Sequence, residues 1–332
     1  MVAEARNLMR CGIVLAGGEG QRLRPFIRRF RRDDLPKQYL NLIGTHTMLE
    51  QTFRRAEKLI RKQHLFTVVS QAHLRYPEVK RQLSDRPKET VVLQPENKET
   101  APGLLLPFTY LYRYFPDATV VVLPSDHFIL QEDLFANYLQ LACRVVETDP
   151  SRFILLGVQP DRAEPEYGYI LPVQEKNDLG IHRVLRFVEK PQPPAAREII
   201  ARGGLWNTMV MIFKAKTLMD LVRTTACSLY SSFKRIIDAI GTTEERDVVE
   251  ETYKNIEPLN FSRGILENLP LLNSVSLSVL PVKGVYWSDL GSERRLLGAL
   301  QKTGYAVGIK RVPERGHPLV LVREDRPAPL FR

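Results

Sequence analysis

From residue 13 to residue 158, short apolar runs alternate with stretches of helical period, and few folds satisfy that alternation. Residues 13–16, 65–70, 90–93, 118–123 and 153–158 read as strands. The run 118–123, Ala-Thr-Val-Val-Val-Leu, is uninterrupted and rich in β-branched side chains, as expected of a strand covered on both faces. Helical patterns lie between the strands at 47–62, 76–83, 101–115 and 134–147. In the first of them Met48, Leu49, Phe53, Ala56, Leu59 and Ile60 share one side, and Arg and Lys take the other. This repetition predicts an α/β fold with a doubly wound, mostly parallel sheet and ligands at the carboxyl ends of its strands.

The second half changes character. Residues 168–173, 180–188 and 208–213 predict strands close in sequence, an antiparallel or mixed extension of the sheet. Two or three helices between 215 and 255, a strand at 275–280 and a last helix at 294–302 follow. No internal repeat is present. The expected division is a catalytic domain over 1–290 and a C-terminal helix and arm over 291–332, the arm carrying Pro313, Pro318, Pro327 and Pro329.

The first strand stops abruptly at Gly17-Gly18-Glu19-Gly20-Gln21-Arg22. Three glycines in four residues let a ligand approach the backbone, whose amides can meet a phosphate oxygen or a base edge. Arg22 adds a forked cation suited to phosphate. The glycines alone fit equally well a tight strand-to-helix turn in any α/β protein. Gly17, Gln94 and Ser125-Asp126 each follow a predicted strand, so they gather on one rim. The run Arg28-Arg29-Phe30-Arg31-Arg32 is either a solvated mobile loop or a flap over polyphosphate. In Leu35-Pro36-Lys37, the proline biases its neighbour toward extended backbone and delivers Lys37 from a loop.

Asp126 and Asp289 are candidates for a magnesium pair, since that ion at phosphate sites commonly takes one or two carboxylates. Each could equally be a cap or a turn residue. Glu189-Lys190, at a strand end, would suit a sugar phosphate, the carboxylate accepting hydroxyls beside an ammonium that meets the phosphate. Trp206-Asn207 offers an aromatic and an amide, or simply core and turn. No nucleophile elbow is evident, and the 6 histidines form no ligand cluster.

The net charge of +10 suits a polyanion, an anionic small substrate or solubility alone. No nucleic-acid-binding motif accompanies it, so no nucleic-acid partner is expected. Cys11, Cys143 and Cys227 are scattered and odd in number, which argues against a disulfide framework or zinc site and for a reducing compartment. Residues 1–10 hold no signal-peptide core, and no run is long enough to span a bilayer. A cytoplasmic location, with no membrane partner, is expected.

Eight motifs in order resemble the sugar-1-phosphate nucleotidylyltransferases, and more narrowly the mannose-1-phosphate guanylyltransferases. They are Leu15-Ala16-Gly17-Gly18-Glu19-Gly20-Gln21-Arg22-Leu23-Arg24-Pro25, Pro36-Lys37-Gln38-Tyr39, Thr100-Ala101-Pro102, Pro124-Ser125-Asp126-His127, Tyr167-Gly168-Tyr169-Ile170, Phe187-Val188-Glu189-Lys190-Pro191, Trp206-Asn207 and Trp287-Ser288-Asp289-Leu290-Gly291. The resemblance spans residues 12–291. It implies a Rossmann-like nucleotide-diphospho-sugar transferase fold and the reaction of GTP with mannose 1-phosphate to GDP-mannose and pyrophosphate, with Mg2+ or a similar divalent cation.

Carried over by motif, Leu15, Ala16, Gly17, Gly18, Gly20, Gln94, Thr100, Ala101 and Ser125 would contact the nucleotide. Arg22 and Lys37 would hold the triphosphate, Asp126 and Asp289 the metal, and Lys190 the sugar phosphate. Glu189, Gly168 and Asn207 would meet sugar hydroxyls. The chain departs from the family pattern at Ile27, where threonine or serine is common, at Gln94, where many guanylyltransferases carry Glu, and at Glu99. Alternatives are another sugar or base (glucose or heptose 1-phosphate; UTP or dTTP) and a catalytically silent sugar-nucleotide-binding regulatory protein. A homo-oligomer is possible, and the sequence is silent on it.

Overall fold

The computed structural model describes residues 9–29, 31, 33–271 and 275–304, and the backbone of 309–310 and 320–321. Phe30 and Arg32 of the arginine run, and the prolines of the C-terminal arm, lie outside the described residues. In chain order the strands and helices are β1 (Arg10–Ala16), α1 (Arg24–Ile27), α2 (Met48–Glu57), β2 (Leu65–Ser70), α3 (Pro77–Leu83), β3 (Val91–Gln94), α4 (Thr100–Tyr114), β4 (Thr119–Pro124), β5 (Phe128–Ile129), α5 (Glu132–Thr148) and β6 (Arg152–Val158). There follow β7 (Gly168–Lys176), β8 (His182–Glu189), α6 (Pro193–Ala201), β9 (Leu205–Lys214), α7 (Ala215–Thr225), α8 (Cys227–Ala239), α9 (Glu245–Asn255), β10 (Ser276–Val282), β11 (Trp287–Ser288) and α10 (Glu293–Thr303).

A 9-stranded sheet runs β3-β2-β1-β4-β9-β6-β10-β8-β7, with β7 also touching β9. Strands β1, β2, β3, β4, β6, β7 and β10 point one way, and β8 and β9 point the other. The mostly parallel, doubly wound sheet expected from the alternation is therefore present. One expectation is refined. Strand β9 does not extend the sheet at an edge but sits at its centre, antiparallel to both β4 and β6. Its composition explains why it tolerates that place: Leu205, Met211 and Phe213 enter one core, while Trp206, Val210 and Ile212 enter the other.

The period of two along each central strand sorts side chains between two helical layers. Cys11, Ile13, Val120, Val122, Phe153 and Leu155 pack with α4, α7, α8 and α9. Val14, Ala16, Val121, Leu123, Ile154 and Leu156 pack with α2, α5 and α10. Helix α2 opens with a capping box, Glu50 N donating to Thr47 Oγ1 (3.2 Å) and Thr47 N to Glu50 Oε2 (2.8 Å). No helix among the described residues is long and apolar enough to cross a membrane.

At the sheet centre the rings of Phe153 and Phe213 stack at 4.7 Å between centroids, and both side chains are fully buried. Phe213→Ala should lower the unfolding free energy by about 3–5 kcal/mol. Urea denaturation followed by circular dichroism measures this, and a loss well under 1 kcal/mol would contradict the central placement of β9.

Candidate active site

A cavity of about 400 Å³ opens on the rim where β1, β3 and β4 end. Its wall brings together Leu15, Gly17, Gly18, Gly20, Arg22, Gln94, Thr100, Ser125, Asp126, Gly168, Glu189, Lys190, Asn207 and Asp289, all singled out in the sequence. Three expected residues are not on that wall. Ala16 points into the core, and its carbonyl is taken by Gln38 Nε2 (3.0 Å) and the Tyr39 hydroxyl (3.1 Å). Ala101 is buried within the packing of α4, its amide donating to the Leu259 carbonyl (2.9 Å). Lys37 lies beneath the wall, 4% exposed.

The glycine loop is held from below by the Pro36-Lys37-Gln38-Tyr39 segment. Pro36 is extended, and Lys37–Tyr39 form one turn of 3-10 helix. Gln38 Nε2 also donates to the Gly18 carbonyl (2.7 Å), and Tyr39 reaches His73 Nδ1 (3.1 Å). His73 Nε2 in turn meets Glu19 Oε1 (3.1 Å), and Glu19 pairs with Arg24. Gly20 adopts φ +60, where a Cβ would lie 3.2 Å from Lys37 Cγ, so only glycine suits both the turn and the contact. A Cβ on Gly18 meets nothing within 4 Å.

Lys37 Nζ lies 2.9 Å from Asp126 Oδ2 and donates to the Asp289 carbonyl at 2.6 Å. Burial pushes the Asp126 carboxyl up, but the Lys37 ammonium beside it outweighs this and holds it below the usual carboxylate range. His127 is pushed down to about 4 by burial and accepts a hydrogen bond at Nδ1 from Trp287 Nε1 (3.2 Å), so it is neutral at pH 7. Asp289 Oδ1 accepts from the Tyr167 hydroxyl (2.9 Å) and the Gly291 amide (3.0 Å). Its Oδ2 faces Arg295 Nη2 at 3.4 Å and Arg22 Nη2 at 3.5 Å.

Glu166, Tyr167 and Arg295 were not anticipated as site residues. Arg295 is 2% exposed in its side chain, lies over the Tyr167 ring at 4.9 Å, and pairs with Asp289 Oδ1 (2.9 Å), Glu166 (2.6 Å) and Glu164 (3.4 Å). Glu166 Oε2 also holds Arg22 Nη1 at 2.6 Å. The Tyr167-Gly168 motif was the available signal for Glu166 and Tyr167; nothing local in Arg294-Arg295-Leu296 marks Arg295 as buried. The described arginines of the run also face acids: Arg28 meets Asp34 (2.7 Å), Arg29 Glu293 (2.8 Å), and Arg31 Asp33 (2.6 Å) and Glu78 (2.8 Å).

At one end of the cavity, Gln94 Nε2 donates to the Glu96 carbonyl (2.6 Å), which leaves Oε1 as the acceptor facing the wall. At the other, Glu189 stands beside Gly168, whose added Cβ would lie 2.6 Å from Glu189 Oε2. Burial pushes the Glu189 carboxyl up despite Lys190, whose Nζ is 3.8 Å away. Asn207 Oδ1 accepts the Met209 amide (3.0 Å). Backbone strain gathers here too. Among the described residues, the non-glycines at positive φ are Glu99, Lys190 and Met209, on the wall, and Leu290, next to Asp289.

No group of three or more His, Cys, Asp and Glu fit to hold a metal occurs among the described residues. Asp126 and Asp289 nonetheless suit magnesium. They are hard oxygen donors on one wall, Asp126 meeting Lys37 through Oδ2, and such an ion completes its shell with phosphate oxygens and water.

A Cβ added to Gly291 would lie 2.3 Å from Arg295 Nη2, 2.5 Å from Asp289 Oδ2 and 2.8 Å from Arg22 Nη2. Gly291→Ala should therefore cost about 1–3 kcal/mol, read as a lower thermal midpoint. Gly18→Ala should leave the midpoint of the ligand-free protein within a degree, and equal effects of the two would refute this packing.

Residues 11–304 match the family model described as nucleotidyl transferase. The chain is 30% identical over 230 residues to alginate biosynthesis protein AlgA of Pseudomonas aeruginosa, covering 66% of this chain and 45% of that protein. It is 26% identical over 312 residues to mannose-1-phosphate guanylyltransferase 2 of Escherichia coli O157:H7, covering 88% of this chain and 60% of that one. The chain thus spans roughly half the length of these curated relatives. Among solved structures it is similar to a Thermus thermophilus protein described as mannose-1-phosphate geranyltransferase, with TM-score 0.72, 26% identity, and 86% of this chain and 77% of that chain covered. A glucose-1-phosphate thymidylyltransferase of Bacillus anthracis, described as putative (TM-score 0.56, 17% identity, 88% and 94% covered), shares the fold. With a matching model over nearly all the described residues, and with the loop, carboxylates and lysines of that likeness gathered at one cavity, the chain belongs to the nucleotidyl transferase family.

Proposed function

We propose that the chain transfers GMP from GTP to mannose 1-phosphate, giving GDP-mannose and pyrophosphate. The observation that carries this reading is the order of groups along one cavity. An acceptor for a base lies at Gln94, and the glycine loop and Arg22 follow above Lys37. Asp126 and Asp289 flank Lys37, with Glu189, Lys190 and Asn207 at the far end. That sequence of subsites matches base, triphosphate and sugar phosphate.

The reaction needs no protein nucleophile. An oxygen of the sugar phosphate forms the bond to the α-phosphorus, and the bond from that phosphorus to the bridging oxygen breaks in line, its electron pair leaving with pyrophosphate. The work left to the chain is to align two polyanions and to neutralise charge. Asp126 and Asp289 would hold magnesium, which when bound supplies further neutralisation of phosphate oxygens. Arg22, with 48% of its side chain exposed, exchanges its pairing with Glu166 for the triphosphate. Lys37, fixed by Asp126 and by the Asp289 carbonyl, adds its positive charge beneath the wall on which the triphosphate would lie. Lys190 orients the sugar phosphate, while Glu189 and Asn207 take sugar hydroxyls.

Mannose and guanine rest on the relatives named mannose-1-phosphate guanylyltransferase and on the acceptor at Gln94 Oε1, which complements the N1–H of guanine. The same acceptor also complements the N3–H of uracil or thymine, so UTP or dTTP with glucose or heptose 1-phosphate is the second reading. Pyrophosphate release from four NTPs against several sugar 1-phosphates decides. GTP with mannose 1-phosphate should rank first; a higher rank for another pair refutes the assignment, and nucleotide binding without turnover of any pair supports a regulatory protein. Asp126→Asn should lower kcat by about 100-fold or more. Lys190→Ala should chiefly raise KM for the sugar phosphate; a defect confined to KM for GTP would refute its role.

A further inference from the structure

Glu99 holds a backbone conformation that only glycine adopts without strain, φ 70 and ψ −172, at the foot of α4. The segment around it is strapped down. Glu99 N donates to Asn97 Oδ1 (3.0 Å), Leu259 N to the Lys98 carbonyl (3.2 Å), and Phe261 N to Thr100 Oγ1 (2.8 Å). A strained residue whose neighbours are so constrained projects its side chain where the fold requires, and Glu99 lines the cavity. Asn260 Oδ1 accepts from the Arg263 amide (3.1 Å), and its Nδ2 donates to Glu99 Oε2 at 3.5 Å.

Gln94 Oε1 lies in a slot between two glycines, 2.9 Å from where a Cβ of Gly17 would be and 3.4 Å from that of Gly103. Gly103 N bonds the Glu99 carbonyl (3.3 Å), so Glu99 stands one helical turn from the slot. Two acceptors thus line one cavity, an amide oxygen and a carboxylate, and one of the two N–H groups of the Gln94 amide is held by the Glu96 carbonyl.

We infer that Glu99 is a specificity-determining residue of the base subsite, its carboxylate accepting the 2-amino group of guanine while Gln94 Oε1 accepts N1–H. The inference rests on the guanosine nucleotide proposed above and goes beyond it by naming what rejects the other bases. Guanine presents two adjacent N–H donors on this edge. Uracil and thymine present one, flanked by carbonyl oxygens that a carboxylate repels, and adenine turns an acceptor nitrogen to the same place. A site built to accept a particular N–H rejects analogues that lack it more strongly than an apolar pocket can.

Calorimetric titration of the full chain with GDP, UDP and ADP in EDTA tests this without metal or turnover. The wild type should prefer GDP. Glu99→Gln should weaken GDP by about tenfold and leave UDP unchanged or tighter. Glu99→Gly, which relieves the backbone, should raise the thermal midpoint while losing the preference, and so separates recognition from folding. A GDP-to-UDP ratio within twofold of wild type in Glu99→Gln overturns the inference and leaves the guanosine reading standing. A wild type that prefers UDP overturns both.

Discussion

An almost fully buried ammonium, 2.9 Å from one carboxylate and 2.6 Å from the main-chain carbonyl of another acid, joins the parts of this site. A buried charge is tolerated only when it is paired and hydrogen-bonded, so Lys37 obliges Asp126 and Asp289 to stay beside it. Its own segment is equally bound. Gln38 and Tyr39 fasten the glycine loop from below, and Gly20 accepts the lysine stem only because it lacks a side chain. The end of β1, the end of β4 and the turn after β11 therefore share one ion-paired centre.

Around that centre the charges are balanced before any ligand arrives. Arg22 and Arg295 share Glu166 Oε2, and Asp289, held by Tyr167 and Gly291, meets arginine with both oxygens, Oδ1 at Arg295 and Oδ2 at Arg295 and Arg22. Preorganised dipoles and charges of this kind act without reorganising when charge develops. Arg22 differs from Arg295 in exposure: about half of its side chain is open to solvent beside Glu166, whereas Arg295 is walled in. The positive-φ residues Glu99, Lys190 and Met209 add backbone strain to the same wall, as expected where geometry serves a ligand.

What the sequence made legible was local. The Val-rich run became β4 and the glycine motif became the loop because strand period and glycine geometry are decided within a few residues. Gly17, Gln94 and Ser125-Asp126 gather on one rim as expected because each ends or follows a strand of a doubly wound sheet. What stayed hidden depends on distant pairing. Nothing in 205–214 states that it will insert between β4 and β6 and not add to an edge. Arg295 lies beside the apolar face of α10 formed by Leu296, Ala299 and Leu300, and its burial comes from meeting Glu164 and Glu166, far away in the chain. Ala16 and Ala101 lie off the wall for a simple reason: neighbours of a motif residue on a strand or helix face the other way, into the core.

A crystal structure of the full chain with GDP-mannose bound decides whether the groups around Lys37 form the phosphate site. The base is expected between Gly17 and Gly103 with Gln94 Oε1 on its edge, and the diphosphate along the glycine loop above Lys37. Arg22 is expected to withdraw from Glu166, and the sugar to lie between Glu189 and Asn207. A nucleotide sugar bound the opposite way round, or outside the cavity with the Lys37–Asp126 pair untouched by phosphate, would contradict it.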